Sequence, residues 1–365
     1  MRVQLPGLFD LQVNGFGGID FNAPDLTADR VAEALDRMRE RGVTRCLPTL
    51  ITSSFDRFAP NARVLSRASH PAIAGLHMEG PYVSPEDGAR GAHPREHVIP
   101  PTVEDFRRRQ HAADGRIVLV TLAPEVPDAL PLIEHLVAEG VRVAIGHTAA
   151  TAQQIGDAIG AGATLATHLG NGCAQLLPRH PNVIWELLAA DALFASVIVD
   201  GHHLPPSTVK SMIRAKGSRR TILVTDAVAA AGCDKRNRPE HPYTIGDVAC
   251  ELGEDGRVSL PGTPYLAGSS LTLERAIANT VRFTGLSIDD VVPMASTIPA
   301  EYMGMSTAGT VTADWDAAAY DLRILDVACP ADVSCRPATP KREREGGSAS
   351  AKAEAPHCGR RSEGG

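Results

Sequence analysis

The chain has 365 residues, 43% of them hydrophobic, and a formal charge of −7 at pH 7. A chain of this length can bury one large core with a small accessory layer, and its acidic balance argues against nucleic-acid or membrane partners. The same balance offers an anionic ligand no long-range attraction, so any phosphate site must rest on local cations.

Glycine (33) and proline (27) are plentiful while aromatics make up 4%, which suits many short strand–helix turns. The seven cysteines, Cys46, Cys173, Cys233, Cys250, Cys329, Cys335 and Cys358, are odd in number and form no CxxC pair. They signal neither a disulfide framework nor a thiolate zinc site, and reduced thiols fit a cytoplasmic protein. Met1 and Arg2 lead to Pro6-Gly7 with no apolar leader, and no uncharged stretch reaches the roughly 18 residues of a membrane helix. A soluble, unexported protein is expected.

From Leu8 onward, short apolar runs alternate with amphipathic segments. Strands are predicted over 8–13, 44–50, 72–78, 117–122, 141–145, 164–167, 194–199 and 221–225. Helical spacing recurs between them, over 29–41 (Val31, Ala34, Leu35, Met38), 54–69, 102–110, 127–139, 151–161, 181–188 and 206–215. Strands alternating with helices in this way predict an α/β fold, a parallel sheet closed as a (β/α)8 barrel of the TIM type. No GxGxxG follows the first strand, so a dinucleotide-binding sheet lacks its motif.

Past Asp226 the pattern changes. A β-hairpin is expected over 243–260, with Gly253, Asp255 and Gly256 in its turn, then a helix from about Ser270. Another helix is expected over 287–296, broken at Pro293, and a last strand over 320–327. The expected division is a barrel over 1–310, sandwich-like strands over 311–328 and a disordered tail over 329–365. That tail holds Pro, Ala, Gly, Ser and mixed charges without an aromatic residue. Its basic residues are interleaved with Glu, which argues against a nucleic-acid arm.

The apolar runs share one kind of ending. AIAGLHMEGPY delivers Glu79, VAIGH ends on His147, LATH on His168, VIVDGHH on Asp200 to His203, and ILVTD on Asp226. In a barrel the C-terminal strand ends form one face, and the active site lies there. Glu79, His147 and His168 are a sufficient ligand set for one catalytic divalent cation with a position left for water. Zinc suits it, and iron, manganese and cobalt are compatible by ligand type. Asp226 could serve as a fourth ligand, a helix cap or a general base, and the base is favoured. Many metal hydrolases on this barrel hold a second metal with His-x-His at the end of strand one. Here the residues are Gln12 and Asn14, weak ligands, so a single metal is expected and the two amides are assigned to hydrogen bonds.

PGLFDLQVNGFGGIDFN, HMEGP, GAHP, GHT, THLGN, DGHH, VTDA and LAGSSLTL follow one another in order over residues 5–305. In this ordered set the chain resembles the N-acetylglucosamine-6-phosphate deacetylases of the amidohydrolase superfamily. The resemblance implies metal-dependent hydrolysis of the N-acetyl group of an amino-sugar 6-phosphate, in amino-sugar catabolism. It also implies a homodimer in which one subunit completes the other's phosphate site. On matching positions it implies Glu79, His147 and His168 as metal ligands and Asp226 as the catalytic proton acceptor and donor. Substrate contacts are implied for Ala92 and His93, for Asn171 and Gly172, for the DGHH run of Asp200, Gly201, His202 and His203, and for the backbone of Leu266, Ala267 and Gly268. Arg179 falls where the family has a phosphate-reaching arginine.

Two departures stand out. THLGNGC replaces the family's THLYNAM, so Gly170 stands where an aromatic is usual. The family's small β-sandwich beside the barrel is largely missing or incomplete here, which predicts an unpaired sheet edge. Two alternatives are carried forward. One is another amidohydrolase acting on a related amide such as N-acetylgalactosamine 6-phosphate; the other is an impaired remnant that binds sugar phosphate.

Overall fold

A computed structural model describes residues 1–233 and 243–329 of the chain. The tail expected from residue 329 falls, Cys329 apart, outside the described residues.

Eight parallel strands run in chain order around a barrel: Leu8–Val13, Val43–Ile51, Leu76–Glu79, Ile117–Leu122, Arg142–Ile145, Leu165–Ala166, Phe194–Val197 and Thr221–Leu223. Every residue of the first, third and eighth is buried, as parallel strands covered on both faces must be. The barrel closes through side chains and loop backbone. Asp10 Oδ2 accepts the Thr225 hydroxyl at 2.6 Å. Beyond it, the Asp226 amide donates to the Gln12 carbonyl at 2.9 Å and the Asn14 amide to the Ala227 carbonyl at 2.7 Å. Residues 226 to 228 are paired in turn with Ser269.

The outer helices follow the predicted periodicity. Ala28–Glu40 buries Val31, Ala34, Leu35 and Met38, one stripe at helical spacing, and Thr27 caps its start by accepting the Arg30 amide. Leu35 is fully buried, so truncating it to alanine should cost about 2–5 kcal/mol. Ser54, Thr102, Thr151 and Asn182 cap later helices in the same way.

Two details depart from expectation. The third strand begins at Leu76 rather than at residue 72, because 72–74 touch the second strand only through the Cys46–Ile73 bridge. The 243–260 segment forms two turns, not one: Tyr243–Ile245, Val248–Leu252 and Val258–Ser259 make a three-stranded antiparallel sheet, and Gly246, at φ +59°, supports the extra turn. The 287–296 segment breaks at Pro293 as expected, a short α-helix, Ile288–Val291, passing into a 3-10 turn, Val292–Ala295.

Arg2–Pro6, Thr310–Asp316 and Asp321–Ala328 form a separate antiparallel sheet with Thr310–Asp316 in the middle. Leu5, Val311, Ala313, Trp315 and Leu322 tie it to the main core. Among the described residues both outer strands are edges. No helix among them is long and apolar enough to cross a membrane.

Candidate active site

Glu79 is the last residue of the third strand, while His147, His168 and Asp226 lie just beyond the fifth, sixth and eighth. The latter three adopt φ of 49°, 29° and 49°, a left-handed backbone that non-glycine residues adopt at a cost. That turn aims each side chain over the mouth of the barrel.

All four are buried. His168 Nε2 stands 3.1 Å from Glu79 Oε1 and 3.0 Å from His147 Nε2. His147 Nε2 is 3.4 Å from Glu79 Oε1, and its Nδ1 faces the Ala89 carbonyl at 3.2 Å. A carbonyl only accepts, so Nδ1 carries a proton and Nε2 is the atom that can offer its lone pair to a cation. One ligand atom from each of Glu79, His147 and His168 lies within 4.8 Å of the others. His168 Nδ1 is buried without a hydrogen-bond partner.

Burial alone would raise the Glu79 pKa, but the hydrogen bonds and charge of His147 and His168 outweigh it and hold the carboxyl well below the usual range. Burial likewise would lower His168, and Glu79 more than offsets that. A buried carboxylate is thus balanced only by a proton on an imidazole. A divalent cation fits this donor set in place of that proton.

Gln12 and Asn14 connect the cluster to Asp226. Gln12 Nε2 donates to Glu79 Oε1 at 2.7 Å and to Asp226 Oδ1 at 3.2 Å, and Asn14 Nδ2 donates to Asp226 Oδ1 at 2.7 Å. Burial, and then the charge of Glu79, push the Asp226 pKa up to about 6. His93 Nε2 lies 3.1 Å from His147 Nε2, and its Nδ1 is 2.8 Å from the Thr52 hydroxyl. Burial, chiefly, lowers the His93 pKa well below the usual imidazole range.

A cavity of about 390 Å³ opens above these groups. Ala92, His93, Asn171, Gly172, His203, Leu266 and Gly268 line it, as does Gly170. His203 Nδ1 is 2.7 Å from Asp200 Oδ2, and Asp200 Oδ1 accepts the amides of His202 and His203 at 2.8 Å each. Asp200 therefore aims His203. Gly201, His202 and Ala267 stand outside the lining: His202 reaches the Asp255 carbonyl at 3.3 Å, and Ala267 is buried under the 243–260 sheet. Arg179 is exposed, away from the cavity, and no Lys or Arg among the described residues lines it.

Sequence reasoning missed Thr52, the Ala89 carbonyl, and the wall formed by Ile245, Val248 and Tyr265. Thr52 was detectable, since it follows an apolar run as the other site residues do. Tyr265 directly precedes the LAG motif. Nothing local in the sequence marks a carbonyl's direction.

The amidohydrolase family pattern matches residues 3–335. The N-acetylglucosamine-6-phosphate deacetylase of Lysinibacillus sphaericus is 33% identical over 323 residues, covering 86% of this chain and 79% of its own length. The N-acetylgalactosamine-6-phosphate deacetylase of a Shewanella species is also 33% identical, over 331 residues, 88% of this chain and 79% of its own. The crystal structure of N-acetyl-D-glucosamine-6-phosphate deacetylase from Mycobacterium smegmatis superimposes with a TM-score of 0.81 at 31% identity, covering 90% of this chain and 86% of that one. With a barrel that carries Glu79, His147, His168 and Asp226 on its C-terminal face, the chain belongs to the amidohydrolase family, among its N-acetylglucosamine-6-phosphate deacetylases.

Proposed function

We propose that the chain hydrolyses the N-acetyl group of N-acetylglucosamine 6-phosphate, releasing acetate and glucosamine 6-phosphate, as a metal-dependent step of amino-sugar catabolism. The observation that carries this reading is the convergence of Glu79, His147 and His168 beside Asp226 in one cavity. The activities named for its relatives support it.

Glu79, His147 and His168 would hold the cation, with zinc favoured by two imidazoles and one carboxylate. Such a cation lowers the pKa of water and polarises an acyl oxygen. Asp226 Oδ1 is occupied by the Asn14 and Gln12 amides, so Oδ2 is the atom that takes the water's proton. It then returns that proton to the sugar nitrogen, because an amide anion is too basic to leave unprotonated. The Thr52 hydroxyl is 2.8 Å from His93 Nδ1 and 3.5 Å from the Glu79 carbonyl. The shorter contact takes its proton, which leaves His93 Nε2–H to donate to the acyl oxygen.

The phosphate is assigned to His203 and, in a homodimer, to Arg179 of the partner subunit. Supporting this, Arg179 lies in sequence between Leu176, 93% exposed, and Trp185, 51% exposed, in a segment whose Leu177 and Ile184 line the cavity. Ala92, Asn171, Gly172, Leu266 and Gly268 are assigned to the sugar.

The test is acetate release by the zinc-supplemented protein from N-acetylglucosamine 6-phosphate, its galactosamine epimer and unphosphorylated N-acetylglucosamine. The relatives of both epimer specificities are equally similar, so the epimer arm is needed. Turnover confined to phosphorylated sugars supports the reading; a zinc-loaded protein inert on all three overturns it.

A further inference from the structure

One step below Glu79 the barrel interior is polar. Side chains two apart share one side of a strand, so His77 lies beneath Glu79, 2% exposed. Its Nε2 is 2.8 Å from Thr121 Oγ1, which is 2.8 Å from Thr167 Oγ1. Its Nδ1 faces Thr49 Oγ1 at 3.4 Å. That hydroxyl accepts the Val13 amide at 3.0 Å and donates to the Leu47 carbonyl at 3.1 Å. The Thr49 proton is therefore committed, and His77 carries its proton on Nδ1 with a lone pair on Nε2. Thr121 then donates to His77, and Thr167 to Thr121. One directed hydrogen-bond row crosses the second, third and fourth strands and ends at Thr167, one residue past the sixth.

The fifth strand passes the row at Gly146, where an added Cβ would stand 2.7 Å from Thr167 Cβ and 2.8 Å from Thr121 Cγ2. Each residue of the metal cluster rises from this level. Glu79 is two residues past His77, His147 follows Gly146, and His168 follows Thr167. None of His77, Thr121 and Thr167 lines the cavity, so none is placed to touch substrate.

We propose that His77, Thr121 and Thr167 form a floor that sets the spacing of Glu79, His147 and His168, with His77 as a positioning residue for the metal. This rests on the reading of those three as ligands. Groups that orient ligands from behind alter metal affinity by about 10- to 100-fold when removed. Here the orienting contact is a strand-to-strand spacer rather than a bond to a ligand ring.

The experiment measures zinc dissociation constants on the purified full chain by chelator competition, with the melting temperature of the metal-free protein alongside. Thr121→Val keeps the shape and removes the proton that His77 Nε2 accepts; zinc affinity is expected to fall about 10-fold or more and to recover in Thr121→Ser. Thr44→Val is the control, because Thr44 Oγ1 donates to the Leu8 carbonyl at 3.3 Å at the far end of the barrel. It is expected to lower the melting temperature and leave zinc affinity unchanged. His77→Gln, which retains an acceptor, should bind zinc more tightly than His77→Leu, a comparison that leaves Thr121 intact. Wild-type affinity in Thr121→Val, an equal loss in Thr44→Val, or equal affinity in the two His77 variants overturns the proposal. A wild-type chain that binds no zinc overturns the ligand assignment as well, which separates the two failures.

Discussion

Asn14 Nδ2 stands 2.7 Å from Asp226 Oδ1 and donates to it. Gln12 adds a second donor to the same oxygen at 3.2 Å, so one face of the carboxylate is committed and the other is left for proton transfer. Asn14→Ala frees the carboxylate to rotate, and kcat should fall about 10-fold with zinc content unchanged, since misplaced catalytic groups lose rate without losing ligands. Asp226→Asn should lower kcat by about 10²–10⁴ and still bind zinc. Steady-state kinetics with metal analysis checks both, and full turnover in Asp226→Asn would remove Asp226 from the chemistry.

Gly172 is held at φ +57°, and an added Cβ would lie 3.0 Å from His147 Nδ1 and 3.1 Å from His168 Cε1. Two imidazoles locked in a barrel mouth have little room to retreat. Gly172→Ala is expected to weaken zinc binding about 10-fold, the scale on which displaced ligands lose affinity. Chelator competition reads this directly, and unchanged affinity would show that the loop moves instead.

If Arg179 completes a neighbouring phosphate site, Arg179→Ala should raise KM for the phosphorylated sugar about 10-fold or more, as the loss of a charge-assisted contact does. kcat should hold. Leu176→Asp, at a residue 93% exposed in the single chain, should turn a dimer into monomers and raise KM by a similar factor. Sedimentation analysis paired with kinetics checks this; a monomeric wild type with normal KM would end the dimer assignment.

Glu274 is 6% exposed, and its Oε1 accepts the Thr272 hydroxyl at 2.8 Å and Arg41 at 3.2 Å while Oε2 is unpartnered. Burial raises its pKa, and Thr272 and Arg41 offset only part of that. The folded chain thus holds a proton that the unfolded chain releases above 4.5. This contribution to stability is complete below that value and is lost as pH rises through the folded pKa. Glu274→Gln stays neutral, so its melting temperature should exceed that of the wild type by more at pH 8 than at pH 5. Thermal melts across that range decide it, and a gap that narrows with rising pH would mean that Arg41 favours the ionised form.

The barrel was legible because its strands are short, largely buried apolar runs, five of which lead into an acidic or imidazole residue; 8–13 and 117–122 have the bounds expected. Of the 164–167 run only Leu165–Ala166 pairs as strand, and Thr167 already belongs to the turn that carries His168. The Arg2–Pro6 strand was not foreseen, because its partner begins at Thr310, and the Arg2–Asp314 pairing leaves no trace in local periodicity. The carboxylate and imidazoles of the site could be read from strand ends. The Ala89 carbonyl that sets the His147 tautomer could not, since backbone direction in a loop follows from the whole loop's path. Arg179 shows the same limit, because residue type announces a charge and only the path of the chain gives its address.

The left-handed backbone at His147, His168 and Asp226 has a consequence for anyone breeding this chain. Each such residue costs on the order of 1–3 kcal/mol, and glycine would relieve much of it. A laboratory selection that rewards heat resistance alone should therefore drift toward glycine at these three positions. Clones from it would survive hotter and do nothing, so turnover has to be scored on the same plate.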